Sequence, residues 1–346
     1  MMLLNYHRLA AVPNTENIAA SFWLHEDIDM PLPAFSRRRI LSLTPAAALA
    51  GWTLLSGCTP EADGTPARKP EDKPDPIASK LAALERQAGG RLGVCFRDAE
   101  SGRMTGHRVD ERFAMCSTFK WPMSAVVLKA VDNGKLTLDR RVAYGKDDLI
   151  PNSPVTSKRV GEGAMTVEEL IEATITTSDN AAANLLLPLV GGPDAVTRQF
   201  RAWGDPVTRL DRPEPELNHV GRDEERDTTT PAAMAGLLDT VLLGNALSPI
   251  SRTRLVDWGV ATTTGTRRLR AGIPESWRFG HKTGTATPKG MMNKYNDVAL
   301  AVPPQGAPLL ITAYYEGPVA TRKMRPQDEA VLASVARLAV EWAAMR

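Results

Sequence analysis

Met115-Cys116-Ser117-Thr118-Phe119-Lys120 is the stretch around which the chain is organised, and an apolar run typical of a helix follows it, Trp121 to Ala130. Residues three apart on a helix share a face, so the hydroxyl of Ser117 and the amine of Lys120 can meet. A serine hydroxyl becomes an effective nucleophile beside a base or a charge, and a desolvated lysine can be that base. Alone, the pair is better explained as an ordinary helix start with serine as its cap, and motifs further along the chain overturn that interpretation.

The composition is that of a globular protein. The chain has 346 residues, of which 43% are hydrophobic and 24% charged, enough for one large domain or two lobes. A net charge of +2 indicates no strong attraction to nucleic acid or to membrane phosphate. The five histidines show no metal-ligand spacing, which argues against a zinc hydrolase, and we expect no cofactor.

Residues 1–57 are predicted to be an export signal. A basic cluster at residues 36–39 precedes the apolar run Ile40 to Leu55, which is shorter than the ~20 residues that span a bilayer. The paired arginines resemble a twin-arginine signal. Leu55-Ser56-Gly57-Cys58 resembles a bacterial lipobox, in which Cys58 carries a lipid and becomes the first mature residue.

The residues on either side of this signal support the same interpretation. A start of translation at Met30 would leave a leader of ordinary length. Residues 58–77 are rich in proline and charge and are predicted to form a flexible tether. We therefore expect an exported protein of the periplasm or cell envelope, in contact with the membrane only through a lipid on Cys58.

Periodicity predicts helices in the middle of the chain and strands near both ends. Two strands are expected early and three late: Arg91 to Arg97, Met104 to Val109, Ser276 to Thr285, Asp297 to Val302 and Leu309 to Tyr315. The economical arrangement combines α/β and all-α parts. An antiparallel five-stranded sheet covered by the terminal helices forms one lobe (78–112 and 265–346), into which a helical lobe (113–264) is inserted. A site is expected where the lobes meet.

Three short motifs follow one another along the chain, Ser117-x-x-Lys120, Ser178-Asp179-Asn180 and Lys282-Thr283-Gly284. Each alone has a structural explanation, such as a helix cap or a strand end. The ordered trio is found in class A β-lactamases and penicillin-binding proteins. From about residue 78 to 346 the chain resembles a class A serine β-lactamase, and the resemblance implies the β-lactamase/penicillin-binding transpeptidase-like fold.

A fourth element makes the resemblance specific. Glu214-Pro215-Glu216-Leu217-Asn218 stands between the second and third motifs, as in that family. Arg212 and Asp227 flank it and can clamp a compact Ω-loop by an ion pair. The alternative is two solvated surface charges worth about 0–1 kcal/mol.

The resemblance implies a role for each of the reacting groups. Ser117 attacks the lactam carbonyl and becomes acylated, with either Lys120 or Glu214 as the base. Ser178 relays a proton to the departing ring nitrogen. Glu214 and Asn218 hold the water that hydrolyses the acyl-enzyme, and Glu214 is its general base.

The resemblance also implies how the substrate is held. The backbone N–H groups of Ser117 and Thr285 match the family's oxyanion hole. The substrate carboxylate is expected on Lys282, Thr283 and Thr285, and Arg268 is either an extra cation there or a surface charge. For the second motif, Asn180 is expected to hold the substrate's side-chain amide, whereas Asp179 is expected to be structural.

Three features differ from the commoner family pattern. Asn152 stands where an aromatic cleft wall is usual, and the segment 286–294 is longer than typical. Cys116 lacks the cysteine partner seen in some carbapenem-hydrolysing relatives, and a pairing of Cys95 with Cys116 stays open. These features leave the reaction intact and the substrate spectrum undetermined.

The expected function is hydrolysis of the β-lactam amide bond, which confers resistance to small-molecule β-lactam antibiotics. A monomer is expected, with no nucleic-acid partner. Two alternatives share the trio of motifs, a penicillin-binding DD-peptidase and a β-lactam sensor that stays acylated. Glu214 with Asn218 argues against the DD-peptidase, which lacks a dedicated deacylating carboxylate.

Overall fold

The computed structural model describes residues 75–345. The predicted export signal, Cys58 and most of the tether lie outside these residues. Helix α1 (Pro76–Ala88) begins two residues before the predicted start of the domain, because the Asp75 side chain accepts a hydrogen bond from the N–H of Ile77 and caps the helix. No helix between residues 75 and 345 is both long and apolar enough to cross a bilayer.

The strands form one large sheet and two small ones. Their bounds are β1 Arg91–Asp98, β2 Met104–His107, β3 Phe113–Ala114, β4 Arg141–Ala143, β5 Ala164–Thr166, β6 Thr228–Thr229, β7 Arg278–Ala286, β8 Lys294–Val302 and β9 Leu309–Glu316. The large sheet is antiparallel in the order β2-β1-β9-β8-β7, which confirms the predicted five-stranded sheet built from both ends of the chain. Strand β8 begins three residues earlier than predicted, since residues 294–296 pair with β7.

The helices fill the middle of the chain and its end. Their bounds after α1 are α2 Lys120–Asp132, α3 Thr156–Arg159, α4 Val167–Thr176, α5 Asn180–Leu186, α6 Gly192–Ala202, α7 Pro231–Leu242, α8 Pro249–Val260 and α9 Pro326–Ala343. Short 3-10 turns are found at Cys116–Phe119, Lys146–Asp148, Val160–Glu162, Leu187–Val190, Glu216–Asn218 and Leu269–Gly272. Helix α4 begins with the capping box that Thr166 and Glu169 predict.

Both faces of the large sheet are buried, and the side chains of each strand alternate between the two faces. On β8, Val298 and Leu300 pack into the cluster formed mainly by the helices of the middle. Ala299 and Ala301 pack on the opposite face, in the cluster that contains Ile77 of α1 and residues of α9. This arrangement explains why all residues of β8 and β9 except the last of each are buried.

Helix α2 is the central helix of the first cluster. Its residues from Lys120 to Leu128 are buried on every side, which a helix tolerates only inside a core. The indole N–H of Trp121 donates to the backbone oxygen of Leu255 on α8 at 3.1 Å, so even its polar atom is satisfied. The start of this rigid helix carries the Ser117 motif.

Candidate active site

The Ser117 turn packs directly against strand β7. A Cβ placed on Gly284 would lie 2.7 Å from the backbone oxygen of Met115 and 3.2 Å from Cβ of Cys116, so only glycine permits this approach. The side-chain amide of Asn296 on β8 donates to the same Met115 oxygen at 3.1 Å. The first and third motifs are therefore held together by backbone contacts.

Ser117 and Lys120 both contact one oxygen of Glu214. The Ser117 Oγ donates to Glu214 Oε1 at 3.1 Å, and Lys120 Nζ lies 3.1 Å from the same oxygen. Sequence spacing predicts that the hydroxyl and the amine can meet, and they do so through this shared carboxylate oxygen. The serine, the lysine and the glutamate thus form one buried cluster.

Lys120 is fully buried, and three oxygen acceptors surround its Nζ. Besides Glu214 Oε1, it donates to the backbone oxygen of Ser178 at 2.9 Å and to Asn180 Oδ1. Burial lowers the pKa of Lys120, and the Glu214 carboxylate opposes that shift. Three acceptors match the three N–H groups of an ammonium, so this geometry fits a protonated Lys120 beside an ionised Glu214.

The second motif joins the serine turn to β7. Lys282 is fully buried and its Nζ donates to Ser178 Oγ at 2.9 Å. Burial, together with the Lys120 charge, lowers the pKa of Lys282 well below its ordinary value. Asn180 donates from Nδ2 to the backbone oxygen of Pro151 at 2.8 Å. Both lysines are therefore charges removed from water and held beside hydroxyl and amide groups.

Asp179 has structural contacts, as the sequence predicts. Its Oδ1 accepts from the N–H of Ala182 and caps α5, and its Oδ2 accepts from the N–H groups of Val155 and Thr156, all at 2.9 Å. The buried carboxylate thereby ties the start of α5 to the start of α3. Three residues around this site adopt the left-handed conformation that non-glycine residues rarely use, Cys116 (φ 46°), Asn152 (φ 62°) and Ser178 (φ 61°).

The Glu214 segment is closed by the predicted clamp. Asp227 is fully buried, and Arg212 donates to its Oδ2 at 2.5 Å. Asp227 Oδ1 also accepts from the backbone N–H groups of Asp211 and Arg212 at 2.7 and 2.9 Å. Two backbone bonds and an ion pair at one carboxylate exceed what two solvated surface charges would provide.

Within the segment, Glu214 and Asn218 face each other. Asn218 Nδ2 donates to Glu214 Oε2 at 2.6 Å, four residues apart across a 3-10 turn. Asn218 Oδ1 is buried and has no hydrogen-bond partner within residues 75–345. The pair therefore presents one carboxylate oxygen and one unused amide oxygen side by side.

Comparison with known proteins decides the family. A family model described as "Beta-lactamase enzyme family" matches residues 76–343. The chain belongs to this β-lactamase enzyme family. It is 44% identical to β-lactamase L2 of Stenotrophomonas maltophilia, over 88% of this chain and 98% of that one. It is 41% identical to a β-lactamase of Streptomyces albus G, over 88% of this chain and 96% of that one.

The solved structures agree on the class of β-lactamase. An ancestral class A β-lactamase named GNCA is 54% identical and superposes with a TM-score of 0.73, covering 77% of this chain and 99% of that one. A second structure, of the class A β-lactamase of the last common ancestor of Gram-negative bacteria, is 54% identical, with a TM-score of 0.72 and coverage of 77% and 98%. The chain is thus a class A member of the β-lactamase family.

The structure contradicts one of the two interpretations of Arg268 that the sequence allowed. It is only 3% exposed, so the surface-charge alternative is wrong. Its guanidinium pairs with Glu329 at 3.2 Å and donates to the backbone oxygens of Gly284 and Asn296 at 2.9 and 3.0 Å. It also donates to Thr285 Oγ1 at 2.7 Å, which places a cation directly behind a predicted substrate-binding hydroxyl.

Thr283 lies on β7 next to Lys282, and its hydroxyl is 2.7 Å from that of Thr264.

Cys95 and Cys116 are both free and buried, so the pairing that the sequence left open is not formed. Burial raises the pKa of each thiol to about 12.

Sequence reasoning missed two residues that support the site. Asn184 binds both backbone groups of Glu214, accepting from its N–H at 3.0 Å and donating to its oxygen at 2.8 Å. Its position four residues after Asn180 on a helix was the available signal. His281, next to Lys282, is buried with Nδ1 3.0 Å from Asp297 Oδ1, and only the sheet register brings that pair together.

Proposed function

We propose that the protein hydrolyses the β-lactam amide bond of antibiotics through an acyl-enzyme on Ser117 and thereby confers β-lactam resistance. The observation that carries this proposal is the position of one carboxylate. Glu214 Oε1 lies 3.1 Å from the Ser117 hydroxyl, and Oε2 lies 2.6 Å from Asn218. The substrate class is supported by relatives that are named β-lactamases and match nearly their full length.

Acylation begins with proton transfer from Ser117 to Glu214. The three acceptors around Lys120 Nζ favour its protonated form, which has no lone pair with which to take a proton. Glu214 Oε1 already accepts a hydrogen bond from the Ser117 hydroxyl. Ser117 Oγ then bonds to the lactam carbonyl carbon and the ring C–N bond breaks. The departing nitrogen takes a proton from Ser178, whose hydroxyl accepts a hydrogen bond from Lys282 at 2.9 Å. The proton held by Glu214 then returns to Ser178 by way of Lys120 and Lys282, so Glu214 is again a carboxylate before deacylation. Lys120 stabilises the carboxylate electrostatically in this scheme.

The negative oxygen that forms in each step needs donors already in place. The backbone N–H groups of Ser117 and Thr285 supply them in our proposal. The close approach at Gly284, where an added Cβ would touch the Met115 oxygen at 2.7 Å, supports it because it brings these two backbone segments side by side.

Deacylation uses Glu214 as the general base for water. A water between Glu214 and Asn218 can donate one hydrogen to the carboxylate and the other to the buried, unpartnered Asn218 Oδ1. Its oxygen attacks the ester carbonyl while its proton passes to Glu214, and the ester C–O bond then breaks as Glu214 gives that proton to the departing Ser117 Oγ, 3.1 Å away. A positioned base of this kind contributes about 10²–10⁴-fold to the rate.

Substrate binding uses the cations and hydroxyls around β7. Lys282, Thr283 and Thr285 receive the substrate carboxylate, and Arg268 polarises the Thr285 hydroxyl from behind at 2.7 Å. Asn180 uses one N–H of Nδ2 on Pro151, which leaves its second N–H for the substrate's side-chain amide.

The test is intact mass spectrometry after addition of a penicillin. The wild type should return rapidly to its free mass, Glu214→Ala should keep an adduct of one ring-opened penicillin, and Ser117→Ala should show none. A persistent adduct on the wild type would instead support the DD-peptidase or the acylated sensor. Turnover by Glu214→Ala at the wild-type rate would refute the assigned base.

We further propose that residues 1–57 direct export, that Cys58 carries a lipid and that the monomeric enzyme resides in the periplasm or cell envelope. The basic cluster, the apolar run and the lipobox-like sequence support this proposal. Labelling with a fatty-acid analogue in a bacterial host should mark the wild type and not Cys58→Ser. Equal labelling of both proteins would rule out the anchor. Size-exclusion chromatography with light scattering should give the mass of a single chain.

A further inference from the structure

A cavity of about 520 Å³ shares no lining residue with the proposed catalytic set. Its walls are the start of β1, the residues that follow β9, the end of the Glu214 segment (Val220 to Arg222) and the β7–β8 connection (Gly290 to Met292). This volume falls in the range of small-molecule sites, about 300–1,000 Å³. Part of the wall is the long segment 286–294, so the cavity depends on a feature in which the chain departs from the commoner family pattern.

Lys294 is the unusual group in the wall of this cavity. It is 4% exposed, and its ammonium forms no ion pair or hydrogen bond with any of residues 75–345. The side chain is thus mostly enclosed, whereas its Nζ is not among the fully buried polar atoms without a partner and keeps access to solvent. A charge beside a low-dielectric wall attracts a counter-charge more strongly than one in open water does. An unpaired ammonium in the wall of a cavity is therefore a position for an anionic group.

The one carboxylate in the wall does not neutralise this lysine. Glu316 is the cross-strand neighbour of Lys294, yet its carboxylate is held by Arg91 Nε at 3.0 Å. Arg91 also pairs with Glu111 at 3.2 Å and donates to the backbone oxygen of Arg112 at 2.7 Å. Glu316 is thus paired with Arg91, and no carboxylate among residues 75–345 forms an ion pair with Lys294.

A second cation and an apolar surface complete the cavity. Arg222 is exposed at its rim and forms no ion pair among the described residues. Val220, Met291 and Met292 supply an apolar wall, and methionine adapts its shape to different ligands. The cavity combines two unpaired positive charges with a hydrocarbon surface.

We propose that this cavity is a second binding site, which takes a small organic anion with an apolar body. Its anionic group pairs with Lys294 and Arg222, and its body lies against Val220 and the two methionines. Charge-assisted hydrogen bonds of this kind are the strong ones in proteins. The proposal concerns a site other than the Ser117 cleft and does not depend on hydrolysis.

The probe is 8-anilino-1-naphthalenesulfonate, an aromatic sulfonate whose fluorescence rises on binding. The folded wild type should bind it saturably with one site by fluorescence titration and calorimetry. Lys294→Met removes the charge at similar volume and should weaken binding about tenfold or more, as expected for loss of a charge-assisted bond. Lys289→Met is the matched control, because Lys289 is exposed on the same connection and outside the cavity wall, and it should bind as the wild type does.

Measurements on two further variants test the proposed site independently of Lys294→Met. Arg222→Gln changes an exposed residue and should weaken binding severalfold even if Lys294→Met fails to fold. Lys282→Met removes the cation that the Ser117 cleft offers to an anion, and it should leave the affinity for the dye unchanged because Lys282 is not in the wall of this cavity. Absence of saturable binding, equal affinity of the wild type, Lys294→Met and Arg222→Gln, or loss of affinity in Lys282→Met as large as in Lys294→Met would each overturn the assignment.

Discussion

Asn184 offers a direct test of how the chain positions its general base. The change Asn184→Ala removes two hydrogen bonds, at 3.0 and 2.8 Å, that hold both backbone groups of Glu214. A typical net contribution of about 0.5–1.5 kcal/mol for each bond predicts a loss of about 1–3 kcal/mol in the free energy of unfolding. Asn184 is half-buried, so water can replace part of what is lost.

At about 3 °C per kcal/mol for a domain of this size, Tm should fall by about 3–9 °C. Catalysis should be affected as well. A displacement of the carboxylate by less than 1 Å lowers its efficiency as a base, so we expect deacylation to slow on the order of 10–100-fold. The acyl-enzyme should therefore accumulate on the variant, though less completely than we expect for Glu214→Ala.

The assay combines thermal unfolding with intact mass measured at short times after mixing with a penicillin. Asn133→Ala is the control, because Asn133 is exposed at the end of α2 and far along the sequence from the Glu214 segment. It should leave the deacylation rate unchanged. Wild-type deacylation by Asn184→Ala, whatever its Tm, would show that Asn184 does not position Glu214 and that the fold of the segment suffices.

Three other changes have outcomes that the structure predicts. Burial lowers the pKa of Lys282 from its ordinary 10.5, so its ammonium is present at low pH and is lost as pH rises through the lowered pKa. KM for a penicillin should therefore rise at alkaline pH below 10.5. Lys282→Arg, whose side chain stays charged, should make KM less dependent on pH in this range. Gly284→Ala places a Cβ 2.7 Å from the Met115 oxygen and should cost about 1–3 kcal/mol in denaturant unfolding, whereas Gly161→Ala, with open space around it, should be close to neutral. Burial raises the pKa of the Cys95 thiol to about 12, so a maleimide should label it at pH 8 only after unfolding, and rapid labelling of the folded protein would contradict its burial.

The short motifs were recognisable in the sequence because each combines residue types that chemistry requires at a local spacing. Ser117 and Lys120 lie one helical turn apart, and Glu214 and Asn218 are held by one short turn. The apolar periodicity also placed most strands within three residues of their observed bounds. These predictions depend on contacts between near neighbours in the chain.

Arg268 is an example of a residue whose environment could not be predicted from contacts between near neighbours in the chain. Its sequence context allowed either a substrate-binding cation or a surface charge. In the structure it is buried and pairs with Glu329, which lies 61 residues away in the chain. The free state of Cys95 and Cys116 is likewise a matter of distance in space. The strand register places Arg91 and Lys294 on either side of Glu316, and the side-chain geometry pairs the carboxylate with Arg91 and leaves Lys294 unpaired.

The amino-acid sequence by itself determined the family, the order of the motifs and the identity of the reacting groups, because these depend on residue type and short spacing. Only the tertiary structure decided that one oxygen of Glu214 serves both Ser117 and Lys120. It also decided that an unpaired ammonium lines a separate cavity. The physical reason is that burial and charge pairing are set by groups far apart in the chain, and folding brings them within a few ångströms of one another.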